Sequence, residues 1–277
     1  LAVPQVPDDV SVYGISFAKG ASGHISGNWF GVAPDGTTLA APGNGITGFR
    51  YRTAGEDPYI MNNNVIVGVS SVSANAPAEF NVFCGIPSIP VILEGQGFRI
   101  SGNFFNVFPS GVRDFHPALA DPDNFFGSFE GNIEIGRAGN NTVIGVDGDG
   151  VNDANERNIF SGVLTDELGG YDHNIEFYGQ TPGTNIVVAG NYFGLGVDGT
   201  TRFTNGVPAL NAAGGGAQFR FGSDFDGVSD ALEGNVVYNN WPHEMFPPIL
   251  DEVANFFDEL STGAILGKSL MSLREVI

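Results

Sequence analysis

The chain is poor in cysteine and in charged side chains. Its 277 residues contain one cysteine, Cys84, so no disulfide can form within the chain. Charged residues make up 15% of the sequence, against roughly 25% in an average protein. Asparagine, serine, threonine and glycine must therefore supply most of the polar surface.

Basic side chains are especially scarce. Only two lysines are present, Lys19 and Lys268, and the formal net charge is −20. A surface of that sign repels phosphate backbones, which predicts that nucleic acid is not a partner. No run of eighteen apolar residues occurs, so we predict no insertion into a membrane. We interpret the opening, LAVPQVPDDV, as the start of a mature or trimmed segment.

Glycine, in contrast, is abundant and accompanies a repeat. The 41 glycines are about twice the average share. The acidic segment DGDGVNDANERN (147–158) recurs as DFDGVSDALEGN (224–235), and NVIVGVSSVSANAPAEFNVFCG (64–85) aligns with residues 141–162. A Glu-x-Asn unit closes each copy, at Asn81, Asn158 and Asn235, and the interval is 77 residues both times.

A second motif alternates with the first. Each copy joins an apolar segment to Gly-Asn and two aromatics: HISGNWFGVAPDGTTLA (24–40), RISGNFFNVFPSG (99–111) and VVAGNYFGLGVDGTTRF (187–203). Short alternating segments that stop at Gly or Asn predict strands. The fixed interval predicts stacked coils, and three coils of about 25 residues per interval give roughly nine coils in all. A β-sandwich is the alternative, but it does not explain the fixed interval.

The two motifs together resemble the repeats of right-handed parallel β-helix proteins of the pectin-lyase-like superfamily, in particular large secreted bacterial repeat proteins. The resemblance covers roughly residues 10–240. It implies an all-β fold, a single-stranded right-handed parallel β-helix (a solenoid) over residues 1–243. It also implies an extracellular or cell-surface location.

The tail, residues 244–277, has a different pattern. Apolar residues at helical spacing follow Pro247 and Pro248, namely Ile249, Val253, Phe256, Phe257 and Leu260. This spacing predicts an α-helix, which we interpret as a C-terminal cap on the open end of the solenoid. The last six residues, SLREVI, resemble a helix that opens further modules in such proteins, so the tail is either a cap or the start of another module.

The repeated acidic loops are the candidate metal site. Both place hard oxygens within ten residues, at Asp147, Asp149, Asp153 and Glu156 and at Asp224, Asp226, Asp230 and Glu233. Calcium takes six to eight oxygens from loops of this kind, although the spacing is not that of an EF-hand. The other interpretation is turn chemistry. The third copy favours the turn interpretation, because Ser70, Val72 and Ala76 replace the aspartates there while the closing Glu-x-Asn unit remains.

The aromatic pairs are the candidate glycan site. One ring of each pair should stack in the interior, while Trp29, Phe104 and Tyr192 should face outward, where they could stack on sugar rings. We also expect Arg99 to point outward, Cys84 to lie in the core, and His173, within GGYDHN, to be exposed.

These patterns predict a secreted or cell-surface scaffold or adhesion module that contacts glycans, with calcium as its candidate cofactor. The alternative is a carbohydrate-active enzyme, a polysaccharide lyase or glycoside hydrolase, with a groove along one sheet. The catalytic signatures expected of such enzymes, Asn-Thr-Asp, paired Asp, Gly-His-Gly and Arg-Ile-Lys, do not occur in the body of the sequence. Carboxylates converging in a groove would indicate the enzyme, whereas acids spread along a turn edge would indicate the scaffold.

Overall fold

A computed structural model describes residue 15 and residues 21–39, 49–50, 62–86, 89–115, 131–136, 139–161, 173–178, 183–203, 205, 207–212 and 217–238. The predicted cap, residues 244–277, lies outside the described residues. Within the part of the chain that is described, no helix has the length and apolarity needed to cross a membrane.

The described elements are almost all short strands. In chain order they are β1 (Gly23–Ile25), β2 (Trp29–Phe30), β3 (Phe49–Arg50), β4 (Asn62–Asn63), β5 (Val65–Gly68), β6 (Val82–Phe83), β7 (Val91–Gln96), β8 (Arg99–Ser101), β9 (Phe104–Phe105), β10 (Ile133–Gly136), β11 (Val143–Gly145), β12 (Ile159–Phe160), β13 (Ile175–Tyr178), β14 (Ile186–Ala189), β15 (Tyr192–Phe193), β16 (Leu210–Asn211), β17 (Phe219–Phe221) and β18 (Val236–Val237). The described helical pieces are one-turn segments, at Ala76–Ala78, Asp153–Asn155 and α1 (Asp230–Glu233).

The strands form three parallel sheets of six strands each. Sheet A has the order β16-β13-β10-β7-β3, with β4 beside β7; sheet B is β1-β5-β8-β11-β14-β17; sheet C is β18-β15-β12-β9-β6-β2. From β3 onward, successive strands visit sheets A, B and C in turn, with β3 and β4 both in sheet A, so one circuit makes one rung and the next circuit stacks upon it. Rungs are numbered along the chain, from rung 1 (β1 and β2) to rung 6 (β16, β17 and β18). The described residues contain six rungs, and the prediction of an all-β parallel solenoid is confirmed at this level.

The number of rungs in each 77-residue interval differs from the prediction. The 77-residue interval covers two rungs rather than three, because Asn103 stacks between Asn81 and Asn158, and Asn191 between Asn158 and Asn235. The steps are 22 and then 55 residues, followed by 33 and then 44. Rungs are unequal because the loops between strands differ in length, so dividing the interval by a typical coil length gave too many.

A ladder of asparagines runs along the corner between sheets B and C. Each amide donates from Nδ2 to the Oδ1 of the next asparagine, at 3.0 or 3.1 Å, and the order is Asn28, Asn81, Asn103, Asn158, Asn191 and Asn235. From Asn81 onward, each Nδ2 also donates to a sheet B carbonyl of the rung before, as Asn158 does to Ile100 at 2.8 Å. The predicted alignment of Asn81, Asn158 and Asn235 is confirmed.

A second asparagine ladder marks the corner that leads into sheet A. Its members are Asn106, Asn132, Asn174 and Asn205, linked by amide hydrogen bonds of 2.9 to 3.3 Å. Asn132 and Asn174 directly precede β10 and β13, and both are fully buried. This ladder fixes where the first residues of those two strands lie relative to each other.

Apolar side chains fill the bore of the solenoid. Five phenylalanines of sheet C stack along the axis with ring centroids 4.8 to 5.3 Å apart, namely Phe30, Phe83, Phe105, Phe160 and Phe193. The predicted interior aromatic stack is confirmed. Cys84 is buried, as predicted, and it lies in a second apolar cluster outside sheet C. Burial raises the pKa of its thiol to about 12.

Candidate functional sites

The two sequence motifs occupy one corner, between sheets B and C, on alternate rungs. Rungs 1, 3 and 5 turn tightly through the Gly-Asn motif, whereas rungs 2, 4 and 6 carry the longer loops that end in Glu-x-Asn. Each loop lies over the tight turn of the rung before. The N–H of Gly102 donates to the carbonyl of Glu156 at 2.7 Å, and that of Gly190 donates to Glu233 at 2.6 Å. The repeating unit is therefore a pair of unlike rungs.

Carboxylates shape the 147–156 loop by accepting its own backbone N–H groups. Left-handed backbone at Gly148, Gly150 and Asn152 lets the loop fold back on these acceptors. In four hydrogen bonds a backbone N–H donates to a side-chain carboxylate: Asp147 to Glu156 (3.1 Å), Asp149 to Asp147 (3.2 Å), Gly150 to Asp153 (3.0 Å) and Val151 to Asp149 (2.7 Å). These hydrogen bonds are the ones that the turn interpretation of these acids predicts.

The 224–233 loop repeats this hydrogen-bond geometry and adds Ser223 as a partner. The matching bonds are Asp224 to Glu233 (3.1 Å), Asp226 to Asp224 (3.1 Å), Gly227 to Asp230 (3.1 Å) and Val228 to Asp226 (2.7 Å). In addition, the Ser223 hydroxyl donates to Oδ1 of Asp230 at 2.9 Å. Val146 stands at the equivalent position in the 147–156 loop and has no hydroxyl to donate. Among the described residues, Oδ1 of Asp153 is therefore buried without a hydrogen-bond partner.

The loop of rung 2 has no aspartates but keeps the closing glutamate, Glu79. Glu79 accepts from the N–H of Ser70 at 2.9 Å and from the hydroxyl of Ser73 at 2.6 Å. Burial raises the pKa of Glu79, but these two hydrogen bonds and the charge of His24 outweigh burial and leave the pKa below its usual value. In all three loops, therefore, the closing glutamate accepts hydrogen bonds from the backbone of its own loop.

Two arginines of the outer face of sheet B hold the acidic loops. Arg99 lies at an outward position as predicted, and it pairs with Asp147 and with Glu156, at 2.5 Å each. Arg220 pairs with Glu233 at 3.0 Å and with Asp224 at 3.5 Å. Burial raises the pKa of Glu156 to about 7, against the opposing effect of the Arg99 guanidinium.

Six of the eight predicted metal ligands converge in two sets. Asp147, Asp149 and Asp153 each offer an oxygen within 4.8 Å of the others, and so do Asp224, Asp226 and Asp230. Glu156 and Glu233 instead bind arginine and backbone N–H groups. Carboxylate oxygens alone form each set, and hard divalent cations prefer such donors. The buried free oxygen of Asp153, which is 4% exposed, makes the first set the better fit.

The predicted glycan-stacking aromatics lie in one outer column of sheet C, but not as neighbours. Val82 separates Trp29 from Phe104, and Ile159 separates Phe104 from Tyr192. The structure therefore does not bring the three rings together as one platform.

The three rings also differ in exposure. Trp29 is 41% exposed, whereas Phe104 is 9% exposed and stacks on Phe80 with ring centroids 5.0 Å apart. The guanidinium of Arg157 covers the ring of Tyr192 at 3.8 Å from its centroid, and burial lowers the pKa of Arg157. Among these three residues, Trp29 is the one whose ring is open to a ligand.

A further cluster of ionisable side chains, on the outer face of sheet A, was not predicted from the sequence. Glu134 and Glu176 stand opposite each other on β10 and β13. His173 precedes β13, and the three side chains offer ligand atoms within 4.8 Å of one another. The repeated Asn-Ile-Glu, at 132–134 and 174–176, was the signal that could have placed the two glutamates side by side.

The burial of His173 corrects an expectation. The residue is 4% exposed, although a histidine in GGYDHN was predicted to be exposed. Gly131 explains the difference, because a side chain there would begin 2.9 Å from Nε2 of His173. The imidazole thus occupies space that only glycine leaves free.

No protein-family model, curated protein or solved structure matches the chain. The class rests on the fold itself, since three parallel sheets visited in rotation and two asparagine ladders define an all-β parallel solenoid. The resemblance to the pectin-lyase-like superfamily stays a prediction.

Proposed function

We propose that the protein is a scaffold or adhesion module, secreted or displayed at a cell surface, that contacts glycans. The observation that carries the proposal is the stack of the three long loops of rungs 2, 4 and 6 along the corner between sheets B and C. The loops contact each other, since Asn152 donates to the carbonyls of Ser71 (3.0 Å) and Ser73 (2.8 Å) in the loop two rungs earlier. Acids spread along a turn edge suit presentation of a surface rather than bond cleavage.

We propose further that the coil is right-handed, the usual hand of parallel crossover connections, and that residues 244–277 cover its open end. The last described rung supports the cap, because Phe219, Phe221 and Val237 are exposed there. A chain truncated after Tyr238 should self-associate in size-exclusion chromatography with light scattering. A truncated chain as monodisperse as the full chain would contradict the cap.

Glycan contact is proposed to centre on Trp29. The test is binding of the full chain to an array of neutral and acidic glycans, with Trp29→Ala expected to lose at least ~10-fold in affinity, since stacked aromatics dominate such contacts. Phe225→Ala is the matched control, because Phe225 is 61% exposed and lies in the last described rung, five rungs from Trp29. Equal binding by wild type and Trp29→Ala, or no binding by wild type, would reject this surface.

Calcium is proposed as the ligand of the acidic loops, with Asp147, Asp149 and Asp153 as the stronger site. Saturating calcium should raise the midpoint of thermal unfolding by about 5 °C or more relative to chelator. Asp153→Asn should reduce this shift more than Asp230→Asn, because Ser223 already satisfies Asp230. An unfolding midpoint that is the same with calcium and with chelator would eliminate the calcium proposal.

The second candidate is a carbohydrate-active enzyme, either a lyase or a glycoside hydrolase. The observation that favours it is the convergence of Glu134 and Glu176 on the outer face of sheet A, since paired carboxylates serve glycoside hydrolysis. Purified protein should be assayed on a panel of neutral and acidic polysaccharides. Release of reducing ends or unsaturated product that Glu176→Gln abolishes would establish the enzyme and displace the scaffold.

A further inference from the structure

The group on sheet A brings three metal-ligating side chains to one point. Nε2 of His173 lies 3.3 Å from Oε2 of Glu176, and Glu134 stands directly opposite Glu176 on the neighbouring strand. The other oxygen of Glu176 accepts from the amide of Asn211 at 3.2 Å, which orients the carboxylate. The register of two parallel strands therefore places the two carboxylates, and His173 lies two residues before β13.

Like charges directly opposite each other on adjacent strands repel. Glu134 and Glu176 form such a pair, and the Asn132–Asn174 ladder bond at 2.9 Å holds their strands in this register. A cation shared by both carboxylates removes the repulsion. The fold thus places a site of negative charge beside a buried imidazole.

We propose that Glu134, His173 and Glu176 bind a first-row divalent transition metal, such as zinc. Imidazole nitrogen favours these ions, whereas calcium and magnesium take oxygen ligands almost exclusively. Ligands of a tetrahedral zinc lie roughly 3.4 Å apart, given bonds of about 2.0–2.1 Å. The 3.3 Å between His173 and Glu176 meets that requirement, and three protein ligands leave a fourth position open.

The surroundings of His173 support a fixed ligand. The side chain is 4% exposed, and the missing side chain of Gly131 leaves the space in which the imidazole lies. A buried ring held in this way needs little reorganisation to bind a metal. The site differs in chemistry from the acidic loops, whose donors are oxygens only, so two ion classes should bind the protein at separate places.

The test uses the full chain, stripped with chelator and then held in excess calcium, which competes with the probe for sites made of oxygen ligands only. Cobalt(II) is the probe, because its visible absorption reports nitrogen and oxygen ligation. We expect one cobalt per chain, displaced by zinc but not by calcium. His173→Gln and Glu176→Gln should each weaken cobalt binding at least ~10-fold.

Two further variants sharpen the assignment. Gly131→Ala should also weaken binding, since the added carbon would lie 2.9 Å from Nε2 of His173. Asp149→Asn, in an acidic loop, should leave cobalt binding unchanged. Circular dichroism of each variant checks that it folds, and strongly shifted imidazole protons in the NMR spectrum of cobalt-loaded wild type give a readout without any variant.

No stoichiometric cobalt binding by wild type would overturn the proposal, as would His173→Gln and Glu176→Gln binding like wild type, or a cobalt complex without shifted imidazole protons. The inference goes beyond the proposed scaffold role and does not rest on it. Loss of glycan binding in Trp29→Ala and loss of cobalt binding in His173→Gln are independent results.

Discussion

At the scale of single residues, asparagine holds the rungs together. One side chain both donates and accepts, so a column of buried amides satisfies itself from rung to rung. Asn158 accepts from the N–H and the amide of Asn103 and donates to Asn191 and to the carbonyl of Ile100. No apolar residue can replace these bonds, and glutamine would place its amide one carbon too far out.

Asn158→Ala should therefore be strongly destabilising. It leaves buried donors and acceptors on Asn103, Asn191 and Ile100 without partners, so we expect a loss of about 3 kcal/mol or more in the free energy of unfolding. Asn28→Ala is the control, because Asn28 ends the ladder and is exposed, and it should cost less than about 1 kcal/mol. Urea denaturation measures both. Equal losses would mean that the ladder bonds contribute little.

Asp35 gives a prediction about pH at an exposed turn. The N–H groups of Thr37 and Thr38 and the Thr38 hydroxyl donate to its carboxylate, which lowers its pKa from 3.8 to about 2. Because the folded pKa is depressed, the stabilisation is present above the unfolded pKa and is lost as pH falls through about 2. Thr38→Val should raise the Asp35 pKa in a carboxyl NMR titration.

Thr201→Val is the matched control for that titration. It removes the same hydroxyl from the equivalent turn, where Thr200 and Thr201 lower the pKa of Asp198. The pKa of Asp35 should not change in this variant. A pKa for Asp35 near 3.8 in wild type would show that the hydrogen bonds of the turn do not form in solution.

At the scale of elements, the long loops and the tight turns fit each other. Gly102 and Gly190 have left-handed backbone and lie beneath the loops of the following rungs. A side chain at Gly102 would begin 2.5 Å from the carbonyl oxygen of Asn155. The glycine of the Gly-Asn motif is thus needed for conformation and for space, which is why the two motifs alternate.

Gly102→Ala should consequently cost about 3–5 kcal/mol, from left-handed strain together with overpacking. Gly227→Ala separates these two effects. Gly227 also has positive φ, but an added carbon there meets nothing within 4 Å among the described residues, so the expected cost is about 1–2 kcal/mol. Similar losses in the two variants, measured by urea denaturation, would contradict the fit of loop over turn.

The acidic loops are evident in the sequence, but their pairing with arginine is not. Arg99 precedes Asp147 by 48 residues, and only the stacking of rung 4 on rung 3 brings them together. The same holds for Glu134 and Glu176, which the register of sheet A makes neighbours. Contacts between rungs depend on strand register, and register follows from loop lengths that short motifs do not encode.

At the scale of the whole molecule, the protein should still fold after deletion of one complete two-rung unit. Deletion of residues 82–158 joins Asn81 to Ile159, keeps the alternation of turns and loops, and removes Arg99 together with both of its carboxylate partners. We expect a folded, four-rung coil with a lower urea m-value, since m follows the surface exposed on unfolding.

Deletion of residues 104–158, which removes one rung, is the contrasting case. It joins Asn103 to Ile159, places two tight turns on adjacent rungs, and leaves the partly buried Arg99 without Asp147 and Glu156. An uncompensated charge of this kind costs about 3–5 kcal/mol, so this variant should be less stable than the two-rung deletion although it is longer. Circular dichroism and urea denaturation would compare them, and the reverse order of stability would reject the two-rung unit.

The sequence by itself determined that this protein is built from short strands, that the strands recur in a fixed interval, and that asparagine and glycine form the corners. Those features are local, since side-chain alternation, left-handed conformation and hydrogen bonding of Asp to nearby N–H groups act within a few residues. The tertiary structure alone decided that 77 residues make two rungs, that Arg99 pairs with the acidic loop, and that His173 is buried against Gly131. Each of these depends on which residue of one rung lies above which residue of the next, and that relation is set by the packing of complete rungs.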